Sequence, residues 1–244
     1  MRLVLYNIRY GVGSGISTHL PVPGAGYVLG NQANLDKLVS FLKETAPDIV
    51  GLIEVDTGSI RSRNVNQADV IAEALGHKTS YETKYGSKSL NQLLPIIRKQ
   101  GNAFLAAPTI HHERFHYFDT GIKRLIIELE LDDVAIFLVH LSLKYRHRHL
   151  QLRHLYDLIE KTDKPVMVIG DFNTFWGQDE IYLFQKAAGL SSANVEALPS
   201  YPSRSPRREL DFILYQEGIV IDDFAIPDVK LSDHLPLVCD FHTT

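Results

Sequence analysis

The chain has 244 residues, is 45% hydrophobic and 22% charged, and carries 16 Gly and 11 Pro; this balance excludes a disordered or collagen-like polymer. Its formal net charge is −4 and its sequence pI about 6.2, so it lacks the strongly basic body that collects duplex phosphates, and its single cysteine excludes a disulfide framework or a Cys-rich zinc module. No composition break divides the chain, and folds of roughly 250 residues can form one domain, so residues 1–244 are expected to fold as a single unit.

The first strand is expected over Leu3–Ile8. This run is too short, and too soon followed by glycine, to be a secretory or membrane segment, so a cytoplasmic location without stable membrane insertion is expected. Six glycines follow from Gly11 to Gly30 without a Gly-Lys-Ser/Thr or a G-x-G-x-x-G pattern, which excludes a phosphate-binding loop. A long loop on the substrate side is expected there. Leu35, Leu38, Val39, Leu42 and Ala46 keep helical spacing and stop before Pro47, and after a strand at Ile49–Glu54 the pattern returns in Ala68, Ile71, Ala72 and Leu75, ending at Gly76.

Further strands are expected at Asn102–Ala106, Leu125–Leu131 and Val134–Leu141. Only Asp132 and Asp133 separate the last two, a hairpin spacing that makes part of the sheet antiparallel. Between Pro108 and Gly121 lies His112-Glu113-Arg114-Phe115-His116, a match to the H-E-x-x-H zinc pattern. That motif works only on a helix; in an extended segment the two imidazoles stand roughly 13 Å apart, and a surface strand or loop is expected. A third helix begins near Arg146 with Leu152, Leu155 and Ile159 on one side. Strands follow at Val166–Asp171, Leu210–Tyr215, Ile219–Phe224 and Leu237–Phe241, the last holding Cys239 as a small buried hydrophobe. Many strands with few helices argue for stacked sheets flanked by helices.

Several apolar runs end in, or adjoin, a polar residue that packing would not choose. Asn7 interrupts Leu3 to Tyr6, Glu54 ends Ile49 to Ile53, His140 ends Ile136 to Val139, and Asp171 and Asn173 follow Val166 to Gly170. Asp211 precedes Phe212-Ile213-Leu214, and Asp233-His234 precedes Leu235-Pro236-Leu237. Alternation puts Asp171 and Asn173 on one side with Phe172 in the core, a carboxylate beside an amide that can hold and deprotonate water. Hard oxygen ligands such as Glu54 and Asp233, with an amide and no thiolate, suit Mg²⁺ or Mn²⁺.

In this order, Asn7, Ile-Glu54, His140-Leu-Ser, Gly-Asp171-Phe-Asn173, Leu-Asp211-Phe-Ile and Ser-Asp233-His234-Leu-Pro, the chain resembles the endonuclease/exonuclease/phosphatase superfamily, in its His-Leu branch. The resemblance implies a four-layer α/β/β/α sandwich of two mixed, largely antiparallel sheets, deoxyribonuclease I-like. It implies that Glu54 is the principal ligand of Mg²⁺ or Mn²⁺, with Asn7 organising it and Asp233 beside it. Asp171 is implied to activate water, Asn173 to steady the phosphate, His140 to stabilise developing charge, and His234, paired with Asp211, to contact a phosphoryl oxygen. Arg148 and Gln151 match a structural Arg-x-x-Gln helix of that branch. Arg61 and Arg207 are tied by sequence to these positions and are expected to contact substrate; Trp176, three residues after Asn173, is expected to stack on substrate or to pack. The expected activity is metal-dependent hydrolysis of a phosphodiester, nucleic acid being one such substrate; the alternative is a phospholipid head group or small phosphorylated metabolite.

Overall fold

Leu3, Val4, Leu5 and Tyr6 are all fully buried, and a strand apolar on both faces needs cover on both sides. The computed structural model, which describes residues 1–14, 32–83, 99–107, 109–121, 123–177 and 179–244, supplies that cover with a second sheet on one side and helices on the other. The first strand, β1 (Arg2–Asn7), lies between β2 (Ile49–Asp56) and β12 (Leu237–Thr243), with β3 (Lys78–Thr83), β4 (Gln100–Ala106) and β11 (Ile219–Ala225) completing the order β11-β12-β1-β2-β4-β3. The second sheet joins β5 (His112–Tyr117), β6 (Leu125–Glu130), β7 (Ala135–His140), β8 (Val166–Asp171), β9 (Ser191–Ser192) and β10 (Asp211–Tyr215) in the order β5-β6-β7-β8-β10-β9.

Each sheet has one parallel pair, β1 with β2 and β7 with β8, bridged by α1 (Gln32–Thr45) and α3 (Tyr145–Ile159) respectively. Parallel neighbours need such crossovers, and these put helices on the outer faces. α2 (Gln67–Leu75) lies over the first sheet and α4 (Asp179–Ala187) over the second. Alternation then sorts the core into three layers. Leu3, Leu5, Ile53, Leu138, Ile169 and Ile213 meet between the sheets; Val4 and Tyr6 face Leu35, Leu38 and Leu42 of α1; Phe137, Val139 and Val168 face Leu152, Leu155 and Ile159 of α3. This is the four-layer α/β/β/α sandwich expected from the sequence, with the β6–β7 hairpin antiparallel as the two-residue spacing required.

Differences from the sequence reading have local causes. β3 is a polar edge strand with little apolar signal, and α4 is a short helix between Gly177 and Gly189. β5 shows that H-E-x-x-H is extended, His112 pairing with Glu130 and His116 with Ile126 across the ladder. Most of the Gly11–Gly30 stretch lies outside the described residues. Among the described residues no helix is long and apolar enough to cross a membrane.

Two buried side chains of α3 brace the turn after β7. Arg148 is 1% exposed; its Nη1 donates to Ser142 O at 2.7 Å and its Nε to Glu180 of α4 at 3.0 Å. Gln151 accepts from Ser142 N at 2.8 Å and donates to Lys123 O at 2.8 Å. Both residues are structural, as the Arg-x-x-Gln resemblance implied.

Two glycines allow close approach, Gly170 between the paired strands β7 and β8 and Gly51 between the two sheets. A Cβ on Gly170 would stand 2.0 Å from the backbone oxygen of Val139, whereas one on Gly51 would meet side-chain ends, the Ile169 Cδ1 at 2.8 Å and the Leu138 Cδ1 at 3.3 Å. A backbone atom cannot yield as a side-chain terminus can. Gly170→Ala is expected to cost about 3 kcal/mol, the upper end for overpacking, and Gly51→Ala about 1 kcal/mol; urea denaturation of both variants, compared by midpoint at constant slope, checks the order.

Candidate functional site

The alternation that directs Leu138, Ile169 and Ile213 between the sheets carries His140, Asp171 and Asp211 onto the same face at the strand ends. Register aligns them in a row, His140 opposite Asp171 and Asp171 opposite Asp211. Asn7 continues the Leu3–Leu5 face of the other sheet and reaches across, its Nδ2 donating to Asp171 Oδ2 at 3.1 Å. The chain turns back just after Asp171: Asn173, at φ +53°, donates its backbone N–H to Asp171 Oδ1 at 2.9 Å and its Nδ2 to Leu141 O at 2.9 Å.

Strict alternation would have sent Glu54 toward the helices with Leu52. A β-bulge prevents this: Leu52 pairs with Ala103 and Val55 with Gly101, so Ile53 and Glu54 together oppose Asn102. Glu54 takes φ +58°, and its N–H is received by Asn102 Oδ1 at 3.3 Å. The bulge re-aims a carboxylate, as bulges beside sites do. Asn102 is itself 1% exposed, and its Nδ2 has no hydrogen-bond partner among the described residues.

His234 arrives from the loop before β12, which is pinned by Leu235 N to Ser200 O at 2.8 Å and Ser203 N to Asp233 O at 2.7 Å. Its Nδ1–H donates to Asp211 Oδ2 at 2.7 Å, the oxygen that also accepts from Ser200 Oγ at 2.6 Å. Its other nitrogen lies 3.9 Å from Asp171 Oδ2, and His140 Nε2 lies 3.3 Å from the same oxygen. Lys123 Nζ rests against His140 Nε2 and stands 3.9 Å from Glu54 Oε1.

Burial alone would raise the Asp171 carboxyl, but His140, then His234 and Lys123, outweigh it and hold the group well below the usual carboxylate range. Burial alone would lower His234; the charge and hydrogen bond of Asp211, followed by Asp171, raise it to about 10. Burial pushes Asp211 upward, against the pull of His234. The short bond, with Ser200 donating to the same oxygen, is the geometry of a carboxylate facing an imidazolium, so the proton sits on His234. With the folded value above the ordinary one, the stabilisation from this pair is complete below about pH 6.5 and is lost as pH rises through about 10.

The donor atoms suit a hard divalent cation. Asp171, Asp211 and His234 have ligand atoms within 4.8 Å of one another, Asp211 Oδ1 is buried with no hydrogen-bond partner among the described residues, and no thiolate is near, Cys239 lying in the core between the sheets. Because His234 is protonated and paired with Asp211, this trio is already an ionic network, and a divalent cation fits the hard oxygens of Glu54, Asp233 and Asn7 beside it. Glu54 and Asp233, the carboxylates expected to hold metal, lie outside this trio, each facing a cation at loose ion-pair distance: Lys123 at 3.9 Å and Arg9 at 3.5 Å.

Six of the expected residues, Asn7, His140, Asp171, Asn173, Asp211 and His234, are joined by these contacts, Asp233 adjoins His234 in the chain, and Lys123 connects Glu54 to them. Trp176 and Arg207 flank the same end of the sandwich, on a groove beside Thr174. Arg61 is 3% exposed, and its side chain is taken up by a buried pair: its guanidinium donates to Asp56 Oδ2 at 2.9 and 2.8 Å and lies 4.4 Å over the Tyr10 ring. That is a structural ion pair closing the loop after β2, a correction to the expected substrate contact. Lys123, Asn102, Arg9 and Ser200 were missed by sequence reasoning. Only Asn102 left a signal, an amide opening an otherwise apolar strand.

A model of the Endonuclease/Exonuclease/phosphatase family matches residues 4–234. A protein of Yersinia enterocolitica described as UPF0294 is 28% identical over 153 residues, covering 62% of this chain and 52% of that protein, so the chain spans about half the length of the curated relatives it matches. The human Nocturnin catalytic domain with bound sulfate superposes with a TM-score of 0.71 at 20% identity, over 100% of this chain and 94% of that one. The mannosyl-6-phosphatase of Bacteroides thetaiotaomicron superposes with a TM-score of 0.73 at 13% identity, over 99% of each chain. At these identities the two superpositions show a shared fold.

The Asp211–His234 pair can be tested directly. In metal-free protein, Asp211→Asn is expected to bring the His234 imidazole down from about 10 toward the ordinary histidine value. Titration of the ring resonances by NMR checks this, and an unchanged midpoint would place the stabilising charge elsewhere.

Proposed function

The chain belongs to the Endonuclease/Exonuclease/phosphatase family, and from that premise we propose that it is a divalent-metal-dependent phosphoesterase that hydrolyses a phosphodiester by in-line attack of water. The observation that carries the reading is Asp171, a buried carboxylate set among His140, His234, Asn7 and the Asn173 N–H. Asp171, Asp211 and His234 bring their polar atoms within 4.8 Å of one another at one end of the sandwich.

The barrier to attack on a phosphodiester is electrostatic: water must approach an anion, and the leaving oxygen gains charge. Asp171, ionised across the working pH range, orients the water and takes its proton as the oxygen–phosphorus bond forms. The His234 imidazolium, held in place through Nδ1 by Asp211, presents its Nε2 side to a non-bridging oxygen. His140, with Lys123 against its Nε2, is placed to stabilise developing charge, and Asn173 keeps Asp171 in register while steadying the phosphate. Mg²⁺ or Mn²⁺, held by Glu54 with Asn7 and Asp233, would supply positive charge at the phosphoryl oxygens.

A second reading, hydrolysis of a small phosphorylated metabolite, is favoured by the likeness to a protein named as a mannosyl-6-phosphatase. One assay separates the two. Bis-p-nitrophenyl phosphate is expected to be hydrolysed with Mg²⁺ or Mn²⁺ and to be spared in chelator, while Asp171→Asn and Glu54→Ala each lower kcat by about a thousand-fold with far-UV circular dichroism unchanged. Folded variants that keep their activity would reject the assignment. Turnover of p-nitrophenyl phosphate alone would move it to the monoester reading.

A further inference from the structure

We infer that the groove beside the site binds a nucleotide unit, with an unpaired base stacked on Trp176 and a phosphate of the same strand paired with Arg207. The inference rests on the phosphodiesterase reading and names its substrate class. The groove, of about 430 Å³, is lined by Thr174, Phe175, Trp176, Pro199, Arg207 and Arg208 among others. That volume lies within the range of small-ligand clefts.

A line of adjoining rings leads into it from the reacting end. Tyr201 lies 4.8 Å from the His234 ring, Phe175 is edge-on to Tyr201 at 6.0 Å, and the Arg208 guanidinium covers Phe175 at 5.3 Å while donating to Phe175 O at 3.1 Å. Phe175 and Arg208 are thereby committed to the wall. Trp176 is different: its backbone N–H is anchored to Glu180 Oε1 at 2.9 Å, yet the residue is 80% exposed. Beside it, the Arg207 side chain makes no hydrogen bond or ion pair among the described residues. A rigidly anchored backbone presents an uncovered aromatic face next to an uncommitted guanidinium, three residues beyond Asn173.

An aromatic plane with a cation at its side matches the two faces of a nucleotide: every base offers a π-face, and each phosphate accepts two hydrogen bonds from one guanidinium. A paired base has its faces occupied by its stacked neighbours, so the fit is to a single strand or an extruded end. A lipid surface fits less well. The exposed Val195 and Leu198 are separated by Glu196, whose charge opposes an anionic membrane.

Trp176 is the only tryptophan in the chain, so its fluorescence reads the groove directly. Metal-free protein in chelator, which stops turnover, would be titrated with an eight-residue single-stranded oligothymidylate, with thymidine monophosphate, and with phosphatidylcholine/phosphatidylserine vesicles. The oligonucleotide is expected to quench the emission, with Arg207→Ala raising Kd roughly ten-fold and flattening its salt dependence. Tighter binding of the oligonucleotide than of the monophosphate supports a strand as the occupant; equal binding supports a free nucleotide. Emission unmoved by either, a response to vesicles alone, or an Arg207→Ala Kd equal to wild type would overturn the inference. Hydrolysis of bis-p-nitrophenyl phosphate without quenching removes the groove and leaves the activity standing, whereas quenching without hydrolysis of any diester leaves the groove and removes the activity.

Discussion

A carboxylate ion kept almost out of water is the constraint around which this molecule is arranged. Asp171 is 2% exposed, and an uncompensated charge in that position would cost several kcal/mol or simply take up a proton. Its compensation comes from both sheets: Asn7 from the first, His140 from the neighbouring strand of the second, the Asn173 N–H from its own turn, and His234 from the loop before the last strand. No single element could supply these partners. The stacking of the two sheets is therefore as much a condition of the site as of the core, and the Asn7 amide that crosses between them belongs to both.

Around this ion the backbone departs from regular geometry at two positions. Glu54 and Asn173 both adopt positive φ, a conformation that costs a non-glycine residue free energy and persists only when its surroundings enforce it. For Glu54 the enforcement is the bulge and the Asn102 side chain; for Asn173 it is the pair of bonds to Asp171 and Leu141. Helix α3 acts at one remove, Arg148 and Gln151 fixing the turn after β7 and the carbonyl of Lys123. Lys123 then links Glu54 to His140. Sites built on rigid strand ends and braced from behind hold their geometry without the help of a ligand.

Charge is distributed unevenly between the core of the site and its rim. At the centre, each carboxylate has an imidazole or cation within reach, so the balance there is close and the addition of a divalent ion or a phosphate would change every neighbour. Away from that centre, the two arginines singled out by sequence have opposite fates: Arg61 is buried on Asp56, while Arg207 stays open to solvent. Each lies within a few residues of a candidate site residue in sequence, Glu54 and Asp211 respectively. What separates them is a loop that folds back after β2, where Asp56 also accepts from Gly58 N and Ser59 N.

The sequence alone determined the layers and most of the site. Apolar runs buried on both faces demand a sandwich, the two-residue spacing between β6 and β7 demands an antiparallel pair, and a polar residue at the end of an apolar strand is too expensive to bury unless it has partners. That reasoning marks Asn7, Glu54, His140, Asp171 and Asp211 without coordinates. Only the tertiary structure could say who those partners are, because hydrogen bonds such as that from Asn7 to Asp171 span 164 residues of chain and no local pattern encodes them. Likewise, the bulge that turns Glu54 inward, the Lys123 between Glu54 and His140, and the burial of Arg61 all arise from how strands pair and loops fold back. Periodicity reports which face a residue occupies; distance through space, and hence charge compensation, is decided by packing.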